Sequence, residues 1–197
     1  MLIKLIRGST KPLMNVERRR ILESFRNGPV MLTAALRQFP RKMWIYKHAS
    51  DALSIHDTVC RMADNEVIEY LHFRSLVANP DCATSEIEST EWPGRLGYFY
   101  QDIREAMGII RALRRFTYHS LEKLPEDLWT RAADHHISLD RWLANRESYY
   151  PKQIRAMERI YYGWLEVTSP PSVARAAGKN PNVESLVLRS EVSQENQ

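Results

Sequence analysis

SLDRWLANRESYYPKQIRAMERIYYGWLEVT, residues 138–168, is the stretch whose reading decides the fold. Leu139, Trp142, Arg146, Tyr150, Gln153, Met157, Ile160 and Trp164 recur at spacings of three and four, the period of one helix face. Ser138 is a natural N-cap. Pro151 lacks an N–H and predicts a kink or local opening near Glu147–Pro151. The stripe is therefore the buried face of a last long helix. Arg146, Tyr150 and Gln153 are polar members of it, where a plain core would carry aliphatic residues.

Working outward, three further segments carry the same kind of pattern. Residues 16–38 repeat Ile21, Phe25, Leu32, Leu36 and Phe39, with Gly28-Pro29 expected to kink or break the helix. Arg18, Arg19 and Arg20 in that segment read as a solvated helix end. Residues 55–77 carry Ile55, Val59, Met62, Glu66, Tyr70, Phe73 and Val77, with Glu66 the polar member and Ser54 or Asp51 as cap. Residues 98–124 carry Phe99, Ile103, Ala106, Ile110, Leu113, Phe116 and Leu121 as the core face, which leaves Arg111, Arg114 and Arg115 toward solvent. Four amphipathic helices joined by short and medium connections predict an all-α four-helix bundle, up-and-down or crossover, over residues 16–168. Residues 1–15 read as an N-terminal arm. Residues 169–197, rich in Pro, Ser, Asn and Glu, read as a mobile C-terminal tail.

A chain of 197 residues is long enough for one substantial core. With 28 Lys and Arg against 24 Asp and Glu, the net charge of +4 permits contact with anions without calling for specific nucleic-acid binding. Cys60 and Cys82 form no CxxC pair and read as reduced thiols. No apolar run approaches membrane-spanning length, and residues 1–6 do not form a signal peptide. A cytoplasmic location with no membrane partner is expected. There is no GxSxG, P-loop or GxGxxG motif, and Cys60 has no neighbouring base to activate it.

The segments carry a family likeness. Ser54-Ile55 followed by Met62-Ala63-Asp64-Asn65-Glu66 resembles the pattern S-I/V…H-L-A-D-x-E of the DinB-like superfamily, which includes the YfiT-like thiol transferases. Phe73-Arg74 to Asp81, then Trp92 and Leu96-Gly97-Tyr98, fits the loop region of one branch. Leu124-Pro125 to Trp129 resembles its L-P-x-x-x-W. Ser138-Leu139 followed by Gln153-Ile154 resembles its closing S/T-L…H-x-x-x-H-L-x-Q-I. The resemblance spans residues 21–164 and implies a bundle with a nickel or zinc site made by three histidines. Carried over by position, those ligands fall on Arg61, Arg146 and Tyr150, and none is a histidine. A protonated guanidinium has no lone pair to give a metal, so no metal and no cofactor are expected.

Two readings of the altered site follow. In one, Arg61 pairs with Asp57 and Asp64, Arg146 pairs with Glu66 across the bundle, and Tyr150 donates to a carboxylate, leaving a metal-free, non-catalytic scaffold. In the other, Arg61, Arg146, Tyr150 and Gln153, with Asp64, Glu66 and His135 nearby, hold a small acidic metabolite between walls formed by Trp92, Trp142 and Tyr149. The resemblance also implies a homodimer. Its alternative activity is that of a divergent thiol transferase, of the bacillithiol, mycothiol or glutathione type, or of a hydrolase.

Overall fold

The computed structural model describes residues 15–50, 52–78, 91–131 and 137–168. Seven α-helices are present among them: α1 (Asn15–Gln38), α2 (Ile55–Ala78), α3 (Trp92–Arg95), α4 (Ile103–Leu121), α5 (Glu126–Thr130), α6 (Leu139–Glu147) and α7 (Tyr149–Thr168). Short 3-10 turns lie at Arg41–Met43 and Tyr98–Tyr100, and no strand occurs among the described residues. Residues 1–14 of the expected N-terminal arm, the C-terminal tail and His135 lie outside the described residues, while Asn15 opens α1.

The four corners of the bundle are α1, α2, α4 and the α6–α7 pair. Helix α1 packs on α4 and on α6–α7, and α2 packs on the same two neighbours. The first two long helices therefore occupy one diagonal, so the chain crosses the bundle end between them. The crossing segment is seated at both sides. The Trp44 carbonyl accepts from the His56 N–H at 2.9 Å, and the Trp44 indole donates to the Phe39 carbonyl at 3.1 Å. Ser54 and Asp57 cap α2 reciprocally: the Ser54 hydroxyl accepts from the Asp57 N–H at 3.0 Å, and the Asp57 carboxylate accepts from the Ser54 N–H at 3.1 Å.

Several boundaries differ from the sequence reading for local reasons. Helix α4 begins at Ile103 because Asp102 caps it, accepting from the Arg104 N–H at 2.7 Å. Gly97, at φ 59°, turns the chain just before. Phe99, expected in the core, is consequently on the surface, 60% exposed. The last long segment divides at Ser148 into α6 and α7. Pro151 falls in the first turn of α7, where an N–H has no intrahelical partner to lose. Helix α1, by contrast, runs through Gly28-Pro29 unbroken. The Thr33 hydroxyl takes the Pro29 carbonyl at 2.8 Å.

The basic run in α1 is not all solvated. Arg18 is 5% exposed; its Nε donates to Asp140 at 2.8 Å and its Nη1 to Glu126 at 2.8 Å, while its guanidinium lies 4.5 Å from the Trp129 ring centroid. It pins α1 to α5 and α6. Arg20 reaches Glu147 at 2.6 Å.

The apolar interior forms two clusters. One gathers Leu32, Leu36, Ile55, Met62, Ile110 and Met157; the other gathers Ile21, Phe25, Phe73, Leu121, Trp142 and Leu143. Each fully buried aliphatic side chain contributes about 1.5–3 kcal/mol. The polar stripe residues lie where the two clusters meet, because Arg114 stacks on Phe25 of one and on Tyr150 of the other.

Gly28 is required by proximity rather than by a turn. A Cβ there would sit 3.0 Å from the Tyr150 ring. Gly28→Ala should destabilise the protein by up to about 2 kcal/mol in urea unfolding, since overpacking costs about 1–3 kcal/mol and the gain in helix propensity returns about 1. A variant more stable than the parent would show that the Tyr150 ring yields freely.

Candidate functional site

The polar members of three core stripes converge on one carboxylate. Glu66, on α2, is 4% exposed. Arg114, on α4, is 1% exposed and grips it with two parallel bonds: Nε to Oε2 at 2.8 Å and Nη2 to Oε1 at 2.8 Å. Arg146, in the last turn of α6, donates from Nη2 to Oε1 at 3.2 Å. The Tyr150 hydroxyl, in the first turn of α7, donates to the same oxygen at 3.2 Å. Arg114 also donates from Nη1 to the Phe25 carbonyl of α1 at 3.3 Å. The break at Ser148 lets residues 146 and 150 both face inward.

A second carboxylate completes the centre. Arg146 Nη1 lies 3.0 Å from Glu69 Oε1, and the Trp142 indole donates to Glu69 Oε2 at 2.7 Å. With its amide oxygen turned toward Arg146, Asn65 accepts from Nη2 at 3.1 Å and from Nη1 at 3.2 Å. Arg146 Nε is buried without a partner among the described residues. Two guanidinium groups thus balance two carboxylates. Ring faces enclose the cations: Arg114 lies 3.9 Å from the Phe25 centroid and 4.6 Å from that of Tyr150, and Arg146 lies 4.3 Å from that of Tyr149.

The electrostatics follow from this enclosure. Burial alone would lower the Arg114 pKa, but the charge of Glu66 and the groups beside it outweigh burial and raise it. Tyr150 is pushed well above the ordinary phenol range, first by burial and then by Glu66. Tyr149 is pushed up to about 12, mainly by burial. Both phenols are neutral at physiological pH.

The arrangement departs from the sequence reading at several residues. Arg114, expected in solvent, is the main partner of Glu66. Phe116, expected in the core, is 54% exposed. Arg61 does not close onto Asp57 or Asp64. Lys47 holds Asp57 at 2.8 Å, and Asp64 accepts from the Tyr98 hydroxyl, whose pKa rises through burial and the Asp64 contact. Arg61 is half-buried; its positive charge acts on Tyr98 and Tyr149, but it has no ion pair or hydrogen bond among the described residues. Gln153 is half-buried and makes no hydrogen bond to the Glu66 centre. Trp142 is buried with its indole N–H already engaged, so it is part of the core rather than an open wall. Arg114 was legible in principle, because it follows Ile110 by four and precedes Leu121 by seven, in phase with both.

Comparison with solved structures identifies the architecture. The structure of YfiT from Bacillus subtilis, described as "a probable metal-dependent hydrolase with an unusual four-helix bundle topology", superposes with a TM-score of 0.69 at 13% identity, over 78% of this chain and 90% of that one. The fold is that of the DinB/YfiT-like bundles. No family model matches the chain, and no curated protein matches it in sequence. On this YfiT-like frame, no three His, Cys, Asp or Glu side chains come together as a possible metal set among the described residues. No described helix is long and apolar enough to cross a membrane.

Two outcomes test this geometry. Arg114→Met should cost up to about 3–5 kcal/mol in chemical denaturation, because it takes the two shortest bonds from a buried carboxylate and leaves only Arg146 and Tyr150 on one of its oxygens. The double variant Glu66→Met/Arg114→Met should lose less than the sum of the single changes by more than about 1 kcal/mol. Strict additivity would mean that neither group depends on the other. At Asp57, burial raises the carboxyl pKa, but the bonds from Lys47 and Ser54 outweigh it and hold the pKa below the ordinary 3.8. That stability is present above pH 3.8 and is lost as pH falls through the lower, folded-state value. Asp57→Asn should therefore be less stable at neutral pH and lose less on acidification, as read from urea midpoints across acid pH.

Proposed function

We propose that this chain is a metal-free bundle that acts by binding rather than by hydrolysis or thiol transfer, its buried centre serving to hold the helices together. The observation that carries this reading is the double hydrogen bond from Arg114 to Glu66, with Arg146 and Tyr150 on the same carboxylate. A divalent metal needs lone pairs from imidazole, thiolate or carboxylate. At the positions where the resemblance puts ligands, Arg61 and Arg146 offer none, and Tyr150 is a neutral phenol with its proton directed to Glu66. The carboxylate oxygens of Glu66 are already taken by cations. The residues present do not fit a metal ion.

The same bonds argue against a small anion at Arg61, Arg146 and Tyr150, because Glu66 already serves as the anion for two of the three. Thiol chemistry by the protein's own described cysteine is also disfavoured. Cys60 is 1% exposed, and its thiol pKa is pushed up to about 11 by burial and then by Asp57 and Asp64. It is protonated at neutral pH and is a poor nucleophile.

Elemental analysis of untagged protein should find well under one equivalent of nickel, zinc or iron. Added nickel or zinc should leave the melting temperature unchanged, as should EDTA. One tightly held equivalent removed only by strong chelation would overturn the proposal.

A further inference from the structure

The seam between α1 and α4 opens into two adjoining hollows, of about 440 and 520 Å³, which share Thr33, Arg37 and Arg111 in their walls. Each is within the size range of small-molecule sites. Neither has an Asp or Glu among the described residues of its lining. Guanidinium groups enter from both helices: Arg26 and Arg37 from α1, and Arg104, Arg111 and Arg115 from α4. On each helix the outer pair, Arg26 to Arg37 and Arg104 to Arg115, spans about 16 Å at 1.5 Å per residue, so the two rows match in length.

These arginines differ in how far they are already neutralised. Arg104 is held by Asp102 at 2.7 Å, and Arg26 is loosely paired with Glu23 at 3.7 Å. Arg37, Arg111 and Arg115 have no ion pair or hydrogen bond among the described residues. His119, at the far end, contacts Glu122 at 3.2 Å. Three uncompensated cations across one groove exceed what a single carboxylate would neutralise, and they match a multiply charged phosphate chain. At the opposite end the walls change character. Leu36, Phe39 and Met107 provide an apolar floor, and the half-buried Trp44 ring stands there with the Arg41 guanidinium 4.8 Å from its centroid.

We propose that this groove binds a nucleoside polyphosphate, with the phosphate chain between Arg37 and Arg111 and toward Arg115, and the base at the Trp44 end. The charge of the groove selects the phosphates, and the aromatic and apolar end selects a ligand that also carries a flat ring. The groove adjoins the Glu66 centre at Arg114, which lines the second hollow but is already paired with Glu66, and the assignment does not rest on that centre being free of metal.

Calorimetric titration of the full chain at low salt with ATP, and with inorganic tripolyphosphate as a probe lacking the base, tests the assignment. ATP should bind, and tripolyphosphate should bind about tenfold more weakly. Arg37→Ala/Arg111→Ala should weaken ATP at least about tenfold without lowering the melting temperature, since neither side chain is paired among the described residues and the repulsion between them is removed. Arg131→Ala, at a surface arginine paired with Asp127 outside the groove, should leave ATP binding as it was. The proposal is overturned by a flat titration with millimolar ATP, or by equal affinity in the double variant. Equal affinity for tripolyphosphate and ATP would overturn the placement of a base at Trp44.

Discussion

A carboxylate taken out of water must be met by positive charge, and in this protein the demand of Glu66 organises the bundle. The cost of burying one unpaired ion is several kcal/mol, comparable to much of the net stability of a domain. Glu66 is met from α4 by Arg114, from α6 by Arg146 and from α7 by Tyr150, while Arg114 continues to the Phe25 carbonyl of α1. Every corner of the bundle is thereby tied to one side chain of α2. A cation at the centre of a helical bundle performs the same service when it is a metal ion. A guanidinium does it with fixed planar geometry and no vacant coordination position.

That solution imposes constraints on its surroundings. The paired groups are large and planar, so they need flat partners and close backbone approach. Phe25, Tyr149 and Tyr150 provide ring faces, and Gly28 removes the Cβ that would meet the Tyr150 ring at 3.0 Å. The helix break at Ser148 belongs to the same set. It puts Pro151 in a first turn, where its missing N–H costs nothing, and lets the residues on either side turn toward Glu66.

The bundle and its last segment were legible because their signals are periodic and local: the three-and-four stripes, the Ser54 and Ser138 caps, and Pro151. The site was only half legible. Glu66, Arg146 and Tyr150 stood out as polar members of apolar stripes. Arg114 did not, because Leu113 and Phe116 beside it make a second plausible apolar phase on α4. A helix face chosen from hydrophobicity alone follows the wrong phase when the true one carries an arginine. Arg18 was hidden for the same reason, inside a run of three arginines that reads as solvated. Partner choice was less accessible still. Lys47 and Tyr98, which take Asp57 and Asp64, approach from the inter-helix connections, and no helical spacing rule links them to α2.

The buried arginines account for their charge internally. Arg114 and Arg146 balance Glu66 and Glu69, and Arg18 sits between Asp140 and Glu126. The other described arginines are exposed or half-buried, toward the exterior. There the distribution is uneven: acidic side chains pair with Arg20, Arg95 and Arg131, while the described walls of the α1–α4 seam hold Arg37, Arg111 and Arg115 and no carboxylate. Like charges gathered across a groove repel one another and weaken the folded state slightly, and nothing in the packing of α1 on α4 calls for guanidinium at Arg37, Arg111 or Arg115. A feature that the fold does not need, and that costs it stability, is best accounted for by an anion that the groove receives.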